Sequence, residues 1–179
     1  TDIASDPSRN RLYVANSGLN RIEVFDMRER RFLDPIRVGQ LPRSIALSPE
    51  GNELYVANSG GEYISIINLD DGQVTGKITF PPTPFNANYA VISPSVIAAT
   101  QRGLQIVMSN GTLWTVVGDE AVPRPVSRLV GNPTVPAPRT MVATPGGEYA
   151  LLLDGQGYAY LYDSLADEFV QRRQVMSAP

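Results

Sequence analysis

Apolar runs and turn residues alternate at short, regular intervals along this 179-residue chain. Between residues 44 and 80, four strand-like runs occupy 44–48, 53–58, 63–69 and 74–80, separated by PEGN, SGG and DDG. Runs of this length predict β-strands joined by hairpins, because Gly, Asn and Asp supply the positive-φ positions that tight turns need. Within them, LYVA at 54–57 and ISII at 64–67 are mostly apolar on consecutive residues instead of alternating. Consecutive apolar positions predict that both faces of each small sheet are buried. Connections of mostly three to six residues leave no room for covering helices, so the strands are antiparallel and the sheets must cover one another.

The runs repeat. RLYVANSG at 11–18 returns as ELYVANSG at 53–60, and the same shift of 42 matches Ile3-Ala4 to Ile45-Ala46, Pro7 to Pro49, Asn10 to Asn52 and Ile22 to Ile64. PRSIALSP at 42–49 returns as PRTMVATP at 138–145 and more faintly as PSVIAATQ at 94–101. LQIVMSNG at 104–111 and EYALLLDG at 148–155 stand where ELYVANSG stood, so the units begin near residues 2, 44, 96 and 140, at spacings of 42, 52 and 44. A period in the forties marks a repeat architecture whose units bury their faces against neighbours. Four-stranded antiparallel sheets repeating in this way are the blades of a β-propeller. The expected fold is therefore all-β, with four blades at about 1–42, 43–94, 95–138 and 139–179. Each YVAN stretch is the second strand of its blade, repeated because neighbouring blades present it with the same surroundings.

At an offset of 137 the last unit aligns with the first, placing Asp163 on Asp26, Phe169 on Phe32, Val175 on Val38 and Pro179 on Pro42. That register reads as four whole blades with no blade shared between the termini, and the Thr-Asp start reads as a processed or excised piece. Two end blades would each expose an apolar face, which a soluble monomer rarely tolerates. The primary expectation is a fragment of a seven- or eight-bladed propeller. The alternatives are two copies joined as an eight-bladed ring, or closure as four blades. The proline-rich segment 119–139 (DEAVPRPVSRLVGNPTVPAPR) is expected to hold an outer strand near 128–130 between rigid loops, with an extended proline ligand as the alternative. The irregular stretch 80–94 is expected to add a strand or cover an edge.

Composition narrows the chemistry. Hydrophobic residues make up 42% of the chain, enough for a real core, and no apolar run is long enough to span a membrane. The net charge of −3, with mixed signs and one small RERR cluster at 28–31, gives no basic stripe for nucleic acid. Histidine and cysteine are both absent, which removes the usual neutral-pH general base and all thiol chemistry. No Gly-x-Ser-x-Gly elbow or spaced calcium-ligand loop occurs, so no catalytic residue, metal site or cofactor is assigned. Asp70-Asp71 and Asp167-Glu168 read as hairpin-turn residues, as do Asp26 and Asp163. Asn110-Gly111-Thr112 reads as a turn before a glycosylation acceptor, and Trp114 as core.

Antiparallel connectivity places the starts of first strands and the ends of second strands on one face of the disc. Arg43 and Arg139, just before first strands, should share that face with Asn16, Ser17, Asn58, Ser59, Ser109 and Asn110. Of these, Arg43, Arg139, Asn16, Asn58 and Ser59 are the candidate ligand-binding residues. Paired arginines with amides suit an anionic ligand through forked hydrogen bonds. The competing reading makes Arg43 and Arg139 repeat-consensus residues that pack against the next blade.

LYVANSG followed by ISIINLDDGQVTGKI resembles the YVTN-type β-propeller repeats of bacterial and archaeal extracytoplasmic proteins. The likeness is close over residues 1–86 and loose over 87–179, where YVAN becomes IVMS and then ALLL. It implies an extracytoplasmic propeller. Two functions are compatible with it: a non-catalytic binding or scaffold module recognising a protein, glycan or small anion on its top face, or a lactonase-like hydrolase completed by blades not in this chain. The implied partners are those remaining blades or a second copy, and neither nucleic acid nor a membrane span is expected.

Overall fold

The computed structural model describes residues 2–61, 63–81, 92–124 and 134–176. Four blades follow one another. Blade 1 holds Ile3–Asp6, Arg11–Asn16 and Arg21–Asp26, with an outer strand split into Arg31–Phe32 and Ile36–Arg37. Blade 2 holds Pro42–Leu47, Glu53–Asn58, Tyr63–Asn68 and Gln73–Thr79. Blade 3 holds Pro94–Thr100, Gly103–Met108, Leu113–Val117 and Glu120–Pro123. Blade 4 holds Thr140–Ala143, Tyr149–Leu153, Tyr158–Asp163 and Glu168–Gln174. Successive strands pair antiparallel within every blade, and the outer strands of blades 2 and 3 touch through one parallel bridge, Glu120 opposite Thr79.

The all-β propeller expectation holds, and both YVAN stretches are second strands. Blade 3 takes its outer strand at Glu120–Pro123; the position expected near 128–130 lies outside the described residues, as does 82–91 within the irregular stretch. Turn chemistry sets the register. Asn10 and Gly51 each hold positive φ in the first hairpins of blades 1 and 2, one place apart in the repeat register. Asp26 Oδ1 accepts from the backbone N–H groups of Arg28 and Glu29, and Asp163 Oδ1 from those of Leu165 and Ala166, so both aspartates do close turns.

Three buried clusters hold the blades together, one at each junction. Between blades 1 and 2, Tyr13, Ala15, Ile22 and Val24 meet Ile45, Leu54, Val56 and Ile67. Between blades 2 and 3, Ala57, Ile64 and Phe80 meet Ile97, Ile106 and Trp114, with the Phe80 and Trp114 rings edge to face at 5.6 Å. Between blades 3 and 4, Val96 and Val107 meet Leu152, Tyr160, Tyr162 and Phe169. Trp114 is core, and its Nε1 donates to Thr112 Oγ1 at 2.9 Å. Burying a Leu, Ile or Phe side chain is worth about 1.5–3 kcal/mol, so these contacts dominate blade cohesion.

The expected burial of both sheet faces is met only in the middle blades. Ile45 is 5% exposed between blades 1 and 2, whereas its repeat counterpart Ile3 is 63% exposed. At the far end Leu152 is buried against blade 3, while Val142 and Leu151 on the other face are 53% and 43% exposed.

Arginine latches reinforce the outer junctions. Arg9 of blade 1 binds its own Asp6, donates to Gly51 O at 2.6 Å and pairs with Asp70, the last two in blade 2. Arg124, after blade 3, reaches Asp167 Oδ1 of blade 4 at 2.8 Å and donates to Asp167 O at 2.7 Å. Burial alone would raise the Asp6 carboxyl, but hydrogen bonds from Ser8 and Arg9 hold it below its ordinary value. In blade 4, burial and the bond to Asp154 push the Tyr160 hydroxyl up to about 12, and burial and Asp167 do the same for Tyr162.

Candidate functional site

The inner strands converge on the central axis, and the antiparallel order brings their starting residues to one mouth. A cavity of about 230 Å³ is lined there by Asp2, Arg43, Ser44, Ser95, Val96, Arg139 and Thr140. An adjoining cleft of about 390 Å³ is lined by Arg43, Ser95, Ser109, Ala137, Pro138 and Arg139. Arg43 and Arg139 belong to blades 2 and 4, yet they share both spaces. The fold therefore brings together the two arginines that their repeated position had singled out.

Asp2 organises this mouth. Its Oδ2 accepts from Ser44 Oγ at 2.9 Å and from the Ile45 N–H at 3.0 Å, and its Oδ1 accepts from the Ile3 N–H at 3.0 Å. Ser44 Oγ in turn accepts from the Ile97 N–H at 3.2 Å, so one polar chain ties the inner strands of blades 1, 2 and 3. With its oxygens occupied in this way, Asp2 does not pair with the arginines. Among the described residues neither guanidinium has an ion-pair or hydrogen-bond partner, and both side chains are exposed.

Beneath the mouth the channel turns apolar. A groove of about 400 Å³ runs along the inner strands past Ile3, Ile45, Ala98, Met141 and Val142. Two unpaired guanidinium groups above an apolar groove can hold an anion with a hydrophobic body. Each fork offers paired N–H donors that match carboxylate or phosphate oxygens.

The other candidates are placed differently. Ser109 lines the cleft beside the arginines, and its Oγ accepts from the Ser93 N–H at 3.2 Å. Asn16 Nδ2 donates to Glu23 at 2.7 Å and its Oδ1 accepts from the Leu19 N–H at 3.1 Å, which fits a turn-bracing role. Ser17 Oγ donates to Pro42 O at 2.5 Å, and Ser59 Oγ to Leu41 O at 2.9 Å. Asn58 is fully buried and donates to Ser65 Oγ at 3.0 Å and Tyr63 O at 3.2 Å, although its Oδ1 has no partner. Asn110 Oδ1 accepts from Thr112 N–H and Oγ1, and Gly111 follows at a φ of 81°, the geometry of a turn. None of Asn16, Asn58 and Ser59 lines the two spaces at the mouth.

Asp2, Ser44 and Ser95 are mouth residues that sequence reasoning did not select. The repeat aligns Asp2 with Ser44 at the shift of 42, but their mutual hydrogen bond crosses between blades and leaves no local pattern. Among the described residues no three His, Cys, Asp or Glu side chains cluster as a metal site would require, and no helix is long and apolar enough to cross a membrane.

Solved structures of several propellers superpose on this fold. Hydrazine synthase of Kuenenia stuttgartiensis aligns with a TM-score of 0.70 at 17% identity, over 97% of this chain and 48% of that one. The β-propeller domain of Myceliophteria thermophila Cps50 (Swd1) aligns with a TM-score of 0.67 at 13% identity, over 99% and 56%. Dihydro-heme d1 dehydrogenase NirN, solved in complex with DHE, aligns with a TM-score of 0.62 at 13% identity, over 99% and 37%. This chain thus spans about half, or less, of each of those chains, and at such identities the likeness is one of fold alone. No curated protein matches in sequence. The family described as "Lactonase, 7-bladed beta-propeller" matches residues 1–96, which take in blades 1 and 2 and the start of blade 3. With more than half of its length matched in this way, the chain belongs to the seven-bladed β-propeller lactonase family.

Proposed function

We propose that these blades form a non-catalytic recognition module whose mouth binds small anions through Arg43 and Arg139. The observation that carries this reading is the meeting of two guanidinium groups, unpartnered among the described residues, above an apolar groove. Asp2, the carboxylate at the same mouth, is held by Ser44 and the backbone, which supports a positioning role over proton transfer. Further blades of the same propeller, or a second copy, cover the open faces of blades 1 and 4 in this reading. Following the likeness to YVTN-type repeats, its place is extracytoplasmic, and a protein or glycan bearing carboxylates is the larger ligand that the same mouth would take.

The family match favours a second reading, a lactonase-like hydrolase. There the arginines hold the ester oxygens of a lactone or the carboxylate of its product, and acid–base groups come from blades outside this chain. One pair of measurements separates the two. Calorimetric titration with gluconate and with inorganic phosphate should show binding that weakens by at least about tenfold in the Arg43→Ala/Arg139→Ala variant, since each charged hydrogen bond is worth about 1.5–3 kcal/mol. The melting temperature should stay unchanged, because both side chains are exposed. Equal binding by the variant would end the recognition reading. Gluconolactone hydrolysis above the spontaneous rate, followed by base uptake at constant pH, would favour the hydrolase.

A further inference from the structure

A second cleft lies on the opposite face of the disc, between blade 1 and the outer hairpin of blade 2. Blade 1 opens it by breaking its outer strand. Arg31–Phe32 pairs with Phe25 and Asp26, Ile36–Arg37 pairs with Arg21 and Ile22, and Leu33-Asp34-Pro35 intervenes, Pro35 having no N–H to donate. The counterpart in blade 2, Gln73–Thr79, is one unbroken strand. The space measures about 540 Å³, with Arg11, Phe32, Leu33 and Ile36 on one wall, Asp71 and Gln73 facing them, and Tyr13 lining its buried end.

Tyr13 is 1% exposed, and its hydroxyl proton has no acceptor, while the Arg11 guanidinium lies beside the hydroxyl oxygen. Its repeat counterpart Tyr55 donates to Glu53 Oε2 at 2.7 Å. The residue two places before the tyrosine explains the difference, because the shift of 42 sets Arg11 on Glu53. A guanidinium has no acceptor, so the exchange leaves the Tyr13 O–H with nothing to receive its proton. Arg11 has no carboxylate partner among the described residues. Of the acids that line the cleft, Asp70 pairs with Arg9 and Asp71 Oδ1 accepts from the Gln73 N–H at 2.9 Å, while Asp34 is exposed and has no ion-pair partner among the described residues. Arg31 is paired with Glu29 at 2.5 Å. The Tyr13 hydroxyl and the Arg11 guanidinium therefore lie at one cleft, and neither has a carboxylate partner among the described residues.

We propose that this interblade cleft binds a small carboxylate, its oxygens accepting from Tyr13 Oη and the Arg11 guanidinium and its hydrocarbon body lying against Phe32, Leu33 and Ile36. The site is separate from the arginine mouth and does not depend on the function assigned there. Titrations with butyrate, hexanoate and benzoate, each against its amide, test it in the Arg43→Ala/Arg139→Ala background so that the mouth is silent. The acids should bind and the amides should not. Tyr13→Phe should weaken acid binding about tenfold, the usual effect of losing a hydrogen bond to a charged group, without lowering the melting temperature. Arg11→Glu rebuilds the Glu53–Tyr55 arrangement of blade 2, so it should fold at least as stably and lose binding. Absence of acid binding in the background protein, or unchanged affinity in either Tyr13→Phe or Arg11→Glu, would overturn the proposal.

Discussion

The strands Arg11–Asn16 and Glu53–Asn58 share five of their six residues, Leu-Tyr-Val-Ala-Asn, and differ in what surrounds them. In blade 2, Leu54, Val56, Ala57 and Asn58 are fully buried. In blade 1 only Tyr13 and Ala15 are buried, and Leu12, Val14 and Asn16 are half-buried. The face carrying Tyr13 and Ala15 looks toward blade 2, whereas the face carrying Leu12 and Val14 has no described neighbour. The tyrosines reverse this order: Tyr13 is enclosed with an unpartnered hydroxyl, while Tyr55 is half-buried and bonded to Glu53. A shared motif thus specifies a position within a blade, and the adjoining blade decides what that position experiences.

The largest test of this contrast places the same charge on each strand. Val56→Asp puts a carboxylate into the blade 1–2 core, where an unpaired charge costs several kcal/mol, and should abolish the cooperative urea transition. Val14→Asp, half in water in this chain, should cost about 1 kcal/mol or less, as expected of a substitution away from the packed core. A Val56→Asp protein with normal circular dichroism and urea midpoint would show that the second strand is misplaced. In a longer polypeptide whose added blade covers blade 1, the two variants should become equally damaging, which would tie the difference to the neighbouring blade.

Acid should act next, through the latch at the blade 1–2 junction. The folded Asp6 carboxyl lies below its ordinary value of 3.8, so its stabilising contribution is complete above that pH and fades as pH falls through the depressed folded value. Replacing Asp6 with Asn should cost about 2 kcal/mol at pH 7, since it weakens the hydrogen bonds to Ser8 and Arg9. The variant should also lose less stability than the parent when urea midpoints at pH 7 and pH 3 are compared. Parallel pH profiles for the two proteins would remove Asp6 from the account.

The smallest effect separates the two tyrosines. Tyr55→Phe deletes a hydrogen bond to Glu53 and should cost about 1 kcal/mol. Tyr13→Phe deletes no hydrogen bond and should leave stability unchanged or slightly raised. Thermal melts of the two single variants, run together, make this measurement. Equal losses would mean that Tyr13 has an internal acceptor, and the two blades would then be alike at this position.

Much of this molecule is legible in its sequence. Strand order, the second-strand role of YVAN and the turn roles of Asp26 and Asp163 follow from local rules: apolar runs, positive-φ turn residues and side chains that close their own turns. The pairing of Arg43 with Arg139 was legible for a related reason, because a repeated position in a propeller converges on one axis. The Asp2 to Ser44 to Ile97 chain was not, since each of its hydrogen bonds joins different blades. Asn58 and Ser59 read as ligand groups but are used by neighbouring backbone and side chains, a competition that no spacing reveals.

Residues close along the chain set the repeat, the four-stranded blade and the exchange of Glu53 for Arg11 two places before the tyrosine. Strand patterns and hairpins depend on residues close along the chain, so their physics is written locally. Which apolar faces are covered, which arginines go unpaired and that Tyr13 lines a cleft all depend on how the blades assemble. Burial and hydrogen-bond satisfaction are properties of the space between blades, and each side of that space comes from a different part of the chain.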